Sequence, residues 1–259
     1  MSAPDRPLPY VSLVLPAYNE ALNLERAVAE ASGPLARIDE AWEIILVNDA
    51  STDGTGDLAD QLAESYGDGP HGPFVRAVHH EENKGLGGAV RSGFEAARGA
   101  VVIYTDSDLP FDMNELEAAH AKLVATGADI VCGFRANGHP GLKRKAYSAG
   151  YGTLVRAALG VRVQDVNFAL KVIRREVLEA VHLTTDGSFI DAELLAEAAQ
   201  ARFRFAEHGV VYTPRVAGTS TLAHPSVIVG ILKDLARYRL GRRARRRAAR
   251  RLDSRAVAS

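Results

Sequence analysis

Two aspartates one residue apart, Asp106 and Asp108, close the run VVIYTDSDLPF (101–111), after the β-formers Val101 to Thr105 and just ahead of Pro110. Carboxylates set side by side repel one another unless a cation lies between them. A hard divalent ion such as Mg2+ or Mn2+ takes carboxylate oxygens and keeps positions open for phosphate oxygens. So placed, it can neutralise the charge that builds on a departing diphosphate. The same residues could instead cap the following helix or shape a turn. Two other apolar runs end comparably: Pro16-Ala17-Tyr18-Asn19-Glu20 follows the first, and Asn48-Asp49 follows WEIILV. Ligands of open parallel sheets bind outside the carboxyl ends of the strands. Parallel neighbours would therefore gather all three polar ends at one edge, which favours the cation over the cap.

An alternation of strands and helices would position these residues. VSLVLP (11–16) reads as a strand and Asn19 to Ala31 as a helix. Trp42 to Val47 is a second strand, continuous in large aliphatics as a strand covered on both faces should be. NDASTDGTG leads into a helix from Thr55 to Tyr66, FVRAVHH (74–80) is a third strand, and Lys84 to Arg98 is a helix rich in glycine at its start. After the strand 101–105 come a helix (114–125), a strand (ADIVCGF, 128–134), a basic loop around Lys143 to Lys145 and a helix from about Ala146 to Leu159. NFALKVIRREVLEAV then gives a short strand and a helix, and DGSFIDAELLAEAAQ a further helix. Strands separated by helix-length patterns indicate βαβ units and a mostly parallel sheet. No linker rich in Pro, Gly or Ser divides the chain before about His224, and no repeat of solenoid period is present. The expectation is one α/β domain over residues 1–224 and a tail over 225–259.

With 259 residues the chain can bury one large core or two small ones. Its single cysteine, Cys132, excludes an internal disulfide and a metal-binding cysteine cluster, and fits a reducing compartment. MSAPDRPLPY lacks a basic-then-apolar leader pattern. The longest uncharged stretch, Val216 to Leu232, is too short and too polar for a membrane span. The eight histidines form no His-x-x-x-His or His/Cys cluster, which argues against zinc. KGLGGAVRSG invites a dinucleotide-binding reading, but Gly85-x-Gly87 would require Gly or Ala where Val90 stands, and it follows the third strand rather than the first. Its glycines fit a tight helix start close to a nucleotide.

Taken in order, LPAYNE, VNDASTDGT, NKGLGGAVRSGF and TDSD resemble the nucleotide-sugar half of glycosyltransferase family 2. GFR (133–135), RKAYS (144–148), QDVNFALKVIRRE (164–176), FIDAELL (189–195) and RVAGTSTL (215–222) resemble the dolichyl- and polyprenyl-phosphate sugar synthases within it. The resemblance implies a GT-A fold, a single Rossmann-like domain whose central sheet is mostly parallel. It implies an inverting hexosyltransferase that moves a sugar from a nucleoside diphosphate to a polyprenyl phosphate, with Mg2+ or Mn2+ on Asp106 and Asp108. Pro16, Ala17, Tyr18, Glu20 and Asp49 would line the nucleoside site, and Lys84, Gly85 and Ser107 would complete the donor site. Arg135, Arg144 and Arg215 match arginines set around the donor diphosphate and acceptor phosphate, for which guanidinium forks are suited. Asp165, ahead of Glu193, would act as base or orient the acceptor or an arginine. A phosphate acceptor is already anionic, so a base would contribute little. Two departures, Asn167 to Lys171 in place of Gly-Phe-Arg and Glu207-His208-Gly209 in place of Glu-Val-Pro, lie in the acceptor half.

Net charge is −1, yet the segment from Lys233 to Ser259 carries 11 of the 31 Lys and Arg against 2 of the 32 Asp and Glu, +9 against −10 for the remainder. Ile228, Ile231, Leu232, Leu235 and Tyr238 recur at helical spacing ahead of an arginine-rich run (242–251). That pattern fits either a helix packed on the domain or an amphipathic basic helix on an anionic membrane at the cytoplasmic face. Nucleic acid is not expected as a partner, since no recognition fold or stacking aromatics accompany the arginines. The alternatives are the same donor chemistry on a soluble acceptor, or a non-catalytic nucleotide-binding scaffold.

Overall fold

VSLVLPA buries every side chain, as the central strand of a sheet covered on both faces must. The computed structural model describes residues 8–69, 72–138, 159–213 and 233–240. Seven strands form one sheet: β1 (Val11–Ala17), β2 (Trp42–Asn48), β3 (Val75–His79), β4 (Val101–Thr105), β5 (Ile130–Arg135), β6 (Leu170–Arg174) and β7 (Phe205–Val210). The helices are α1 (Leu24–Ile38), α2 (Thr55–Tyr66), α3 (Gly85–Ala96), α4 (Glu115–Thr126), α5 (Arg175–Ala180) and α6 (Ile190–Gln200). The strand order is β3-β2-β1-β4-β6-β5-β7. β3, β2, β1 and β4 run parallel, β6 is antiparallel to both its neighbours, and β7 is again parallel to β5.

Side chains alternate between two cores. Leu13 and Leu15 of β1, Ile44 and Leu46 of β2 and Ile103 of β4 meet α1, α2 and α4 on one face. Val14, Ile45, Val47, Val102 and Tyr104 meet α3 and α6 on the other. α3 lies very close to the sheet because Gly93 faces Val14: a Cβ there would stand 2.2 Å from Val14 Cγ1.

Two expectations are corrected. α1 starts at Leu24 rather than Asn19 and runs on to Ile38. Asn19 adopts φ +56°, and the segment behind it is tied to the loop after β2. The strand β7, unexpected because FAEHGV is so polar, pairs with β5 along its whole length. In the tail, for which two readings stood open, residues 233–240 are helical, and Leu235 and Tyr238 are buried against the domain. The Tyr238 hydroxyl donates to Glu197 at 2.7 Å and accepts from Gln200 at 2.6 Å on α6. The outer face of this segment carries Lys233, Arg237 and Arg239. The boundary near residue 224, most of the helix expected at 146–159, Ile228, Ile231, Leu232 and the run 242–251 lie outside the described residues. Among the described residues no helix is long and apolar enough to cross a membrane.

Candidate active site

The parallel register β2-β1-β4 brings the three polar strand ends to one edge of the sheet. Backbone and side-chain bonds join them there. Ser107 Oγ donates to the Pro16 carbonyl at 3.0 Å, so the turn carrying both aspartates is fastened to β1. The Asp49 N–H donates to the Ala17 carbonyl at 2.9 Å, which fastens β2 to β1. Pro16 and Ala17 thus contribute main-chain acceptors. Beyond them Tyr18 stands half exposed, while the Glu20 N–H donates to Thr55 Oγ1 at 2.9 Å. Each of the three loops contains a non-glycine residue in the left-handed region: Asn19 at φ +56°, Ala50 at +56° and Leu109 at +54°.

Asp49 is almost wholly buried. Its Oδ1 accepts the Lys84 N–H at 2.8 Å and meets His80 Nδ1 at 2.7 Å. Lys84 and Gly85, at φ +72°, open α3 beside it. The glycines here serve a further purpose. A Cβ on Gly85 would stand 2.6 Å from the Asp186 carbonyl oxygen, and one on Gly87 would stand 2.2 Å from that of Thr185. They admit the loop 184–187 onto the first turn of α3, where the Gly87 N–H donates to Asp186 at 2.8 Å. Arg91 clasps the same loop through the Thr185 carbonyl and the Asp186 carboxylate. Glu193 holds it from below, with Oε2 accepting the N–H of Thr184 at 3.0 Å and of Thr185 at 2.8 Å, and Oε1 the Thr184 hydroxyl at 2.8 Å. Glu193 thus anchors this loop through both of its oxygens.

Asp108 is buried and Asp106 half-buried. Burial, followed by the charges of Asp191, Asp106 and Asp108, pushes the Tyr104 phenol well above its ordinary value. Among the described residues no group of three His, Cys, Asp or Glu side chains is arranged to hold a metal. An oxygen-only pair fits a cation that completes its shell with phosphate and water, as Mg2+ and Mn2+ do.

Arg135, at the end of β5, is paired with the buried Asp165. Its guanidinium lies 4.9 Å from the ring centroids of both Phe168 and Tyr212. Asp165 and the two rings hold this arginine in place and largely desolvated. Below, Lys171 is fully buried, donating to the Phe168 carbonyl at 2.6 Å and pairing with Asp191 at 3.3 Å. Burial pushes the Asp191 carboxyl up against the opposing pull of Lys171. No motif in the sequence assigns a site role to Lys171, Asp191, His80 or Arg91. A lysine inside the apolar strand FALKVI is the one available signal. Arg144 and Arg215 lie outside the described residues.

Comparison with known proteins decides the family. A model described as glycosyl transferase family 2 matches residues 12–181. The chain belongs to that family. Among curated relatives, glycosyltransferase AglD of Haloferax volcanii is 34% identical over 214 residues, 79% of this chain and 33% of AglD. An undecaprenyl-phosphate 4-deoxy-4-formamido-L-arabinose transferase of Pseudomonas syringae is 32% identical over 175 residues, 68% of this chain and 50% of the relative. The chain thus spans a third to a half of the length of these relatives. Two solved structures of similar fold are the mannosyltransferase PcManGT of Pyrobaculum calidifontis in complex with GDP-Man and Mn2+ (TM-score 0.59, 22% identity, 85% of this chain and 61% of that one) and the glucosyl-3-phosphoglycerate synthase of Mycobacterium tuberculosis in complex with Mn2+, UDP and glucosyl-3-phosphoglycerate (TM-score 0.66, 22% identity, 88% and 80%). The family 2 chain therefore has the GT-A fold, with the mixed sheet described above.

Proposed function

We propose that the chain transfers a sugar, with inversion, from a nucleoside diphosphate to a polyprenyl phosphate in the presence of Mg2+ or Mn2+. The observation that carries this is the joining of three strand ends, Pro16–Glu20, Asp49 and Asp106–Asp108, at one edge of a family 2 sheet. Asp49 and Tyr18 meet the nucleoside, and Asp106 and Asp108 hold the cation on the diphosphate. The cation supplies positive charge where the leaving diphosphate becomes more negative. An acceptor phosphate oxygen attacks the anomeric carbon from the face opposite the diphosphate. Arg135, held in place by Asp165, Phe168 and Tyr212, presents its remaining N–H groups to a phosphate, a role the family resemblance extends to Arg144 and Arg215. On this reading Asp165 orients an arginine and does not need to take a proton.

The name of the undecaprenyl-phosphate transferase supports the lipid acceptor. GDP-Man, UDP and Mn2+ in the similar structures support the donor class and the cation. The basic face of residues 233–240 supports peripheral contact with an anionic membrane at its cytoplasmic side, through charge rather than insertion. A soluble acceptor is the second reading, favoured by the similarity to a glucosyl-3-phosphoglycerate synthase.

The test is turnover with a panel of nucleotide sugars, Mg2+ or Mn2+ and a short polyprenyl phosphate, with Asp108→Ala alongside. Lipid-linked product that needs the metal and falls at least ~100-fold in the variant is expected, the scale of losing a group that stabilises developing charge. Donor hydrolysis without lipid product would move the acceptor to the second reading. No donor turnover or nucleotide binding would end both.

A further inference from the structure

Asp49 is held by a side chain to which the mechanism above gives no role. His80 follows β3 and continues its ladder, its N–H donating to the Asn48 carbonyl at 3.0 Å. Its ring is buried, with 3% of the side chain exposed against 4% for Asp49. Nδ1 lies 2.7 Å from Asp49 Oδ1, and Nε2 lies 2.8 Å from Ser92 Oγ on α3. Since Oδ1 also accepts the Lys84 N–H, the ring meets it as a donor: Nδ1 carries a proton, and Nε2 shares the second bond with the Ser92 hydroxyl.

The order Asp–His–Ser is that of a hydrolase triad, but Ser92 lies inside α3, where backbone N–H groups are bound within the helix and cannot stabilise an oxyanion. The chain of bonds therefore orients rather than attacks. Two donors converge on Oδ1, and among the described residues Oδ2 forms no hydrogen bond. The carboxylate is thereby held from the connection between β3 and α3, and one oxygen is left for a ligand at the sheet edge.

We infer that His80, braced by Ser92, is a positioning residue for nucleoside recognition: it locks the Asp49 carboxylate so that Oδ2 is presented to an N–H of the donor's base. This rests on the reading of Asp49 as a nucleoside ligand. An ionised carboxylate only accepts hydrogen bonds, so its partner on the base must be a donor.

The experiment is calorimetric titration of UDP and of GDP, with Mn2+, into the whole chain and into His80→Leu, His80→Asn, Ser92→Ala, Asp49→Asn and the double variant His80→Leu/Asp49→Asn. Loss of a hydrogen bond to a charged group predicts roughly 10- to 100-fold weaker binding of the preferred nucleotide by His80→Leu. His80→Asn places an amide nitrogen where Nδ1 stood and should return binding to within about threefold of wild type. Ser92→Ala keeps the ring but unbraces it, and should weaken binding by about 3- to 10-fold. The double variant should bind no more weakly than Asp49→Asn, because His80 acts through Asp49. Wild-type affinity in both His80→Leu and Ser92→Ala overturns the inference, as does a double variant whose loss is the product of the two single losses. Should His80→Leu not fold, His80→Asn and Ser92→Ala decide alone: equal loss in both, without rescue by asparagine, overturns it. Wild-type affinity in Asp49→Asn, or no binding of either nucleotide by wild type, removes the nucleoside reading and the inference with it.

Discussion

Replacing Gly87 by alanine separates two arguments that predict opposite signs. Helix propensity favours Ala over Gly by about 1 kcal/mol, and α3 already contains this residue. The loop 184–187 says otherwise. The added Cβ would stand 2.2 Å from the Thr185 oxygen and 2.9 Å from the Asp186 carbonyl carbon, both backbone atoms that cannot rotate away. Ordinary contact requires the loop to retreat by roughly 1 Å. That retreat stretches the 2.8 Å bond from the Gly87 N–H to Asp186 and loosens the grips of Arg91 and Glu193. Overpacking costs about 1–3 kcal/mol and the lost bond about 1 kcal/mol, against the 1 kcal/mol of propensity, for a net loss of about 2 kcal/mol. For a chain of this size that is ~4–8 °C in Tm. Urea titration and a thermal melt of Gly87→Ala against wild type measure it. A variant as stable as wild type, or more so, would refute the idea that the glycines exist to seat the loop.

Two further outcomes follow from buried charge. Glu43 is fully buried at the opposite end of the sheet, where it accepts from Arg98 at 2.7 and 2.9 Å, from Ser12 at 2.7 Å and from Arg76 at 3.0 Å. Burial pushes its carboxyl up, but the bonds from Arg98, Ser12 and Arg76 outweigh burial and hold it below the ordinary value. The depressed value means stability that is full above the unfolded-state pKa, about 4.3, and is lost as pH falls through the folded one. Glu43→Gln should therefore cost about 3 kcal/mol at pH 7 and progressively less toward pH 3, read from urea midpoints across that range. Lys171→Met strands Asp191 without its cation and should cost ~3–5 kcal/mol in urea unfolding, while Lys171→Met with Asp191→Leu should recover most of it. No recovery in the double variant would mean that the pair is not what holds that part of the core.

The strands that carry the site are legible because nothing but burial explains them. WEIILV and VVIYT have no wholly polar face, and Asp49 and Asp106 follow within two residues of their ends. The limits of α2 are legible too, since Gly54 at φ +91° and Gly67 at φ +58° bracket it. The start of α1 is not. Asn19 to Asn23 suit a helix locally, yet the N–H groups of Asn19, Glu20 and Ala21 donate to Ser51, Thr55 and Asp53, far along the chain, and hold these residues in a loop. β7 hides for the same reason: Glu207 and His208 look solvent-bound until Gln164 and Glu115 answer them across the fold. Within the site, residue types announce Asp106, Asp108 and Arg135. That Asp165 faces Arg135, that Glu193 faces a loop and that Lys171 lies beneath are facts of long-range packing. Chain-local patterns do not encode which of several carboxylates meets which cation.

The left-handed residues Asn19, Ala50 and Leu109 set selection for folding against selection for turnover at the same three positions. Such a backbone costs of order 1–3 kcal/mol for a non-glycine side chain, and glycine would relieve it. A population screened only for thermal resistance should drift toward glycine at 50 and 109. It would thereby slacken the two turns that hold Asp49 and the aspartate pair at fixed spacing. Heat-hardened descendants and efficient ones should thus diverge first at these turns, while the strands beneath them stay alike.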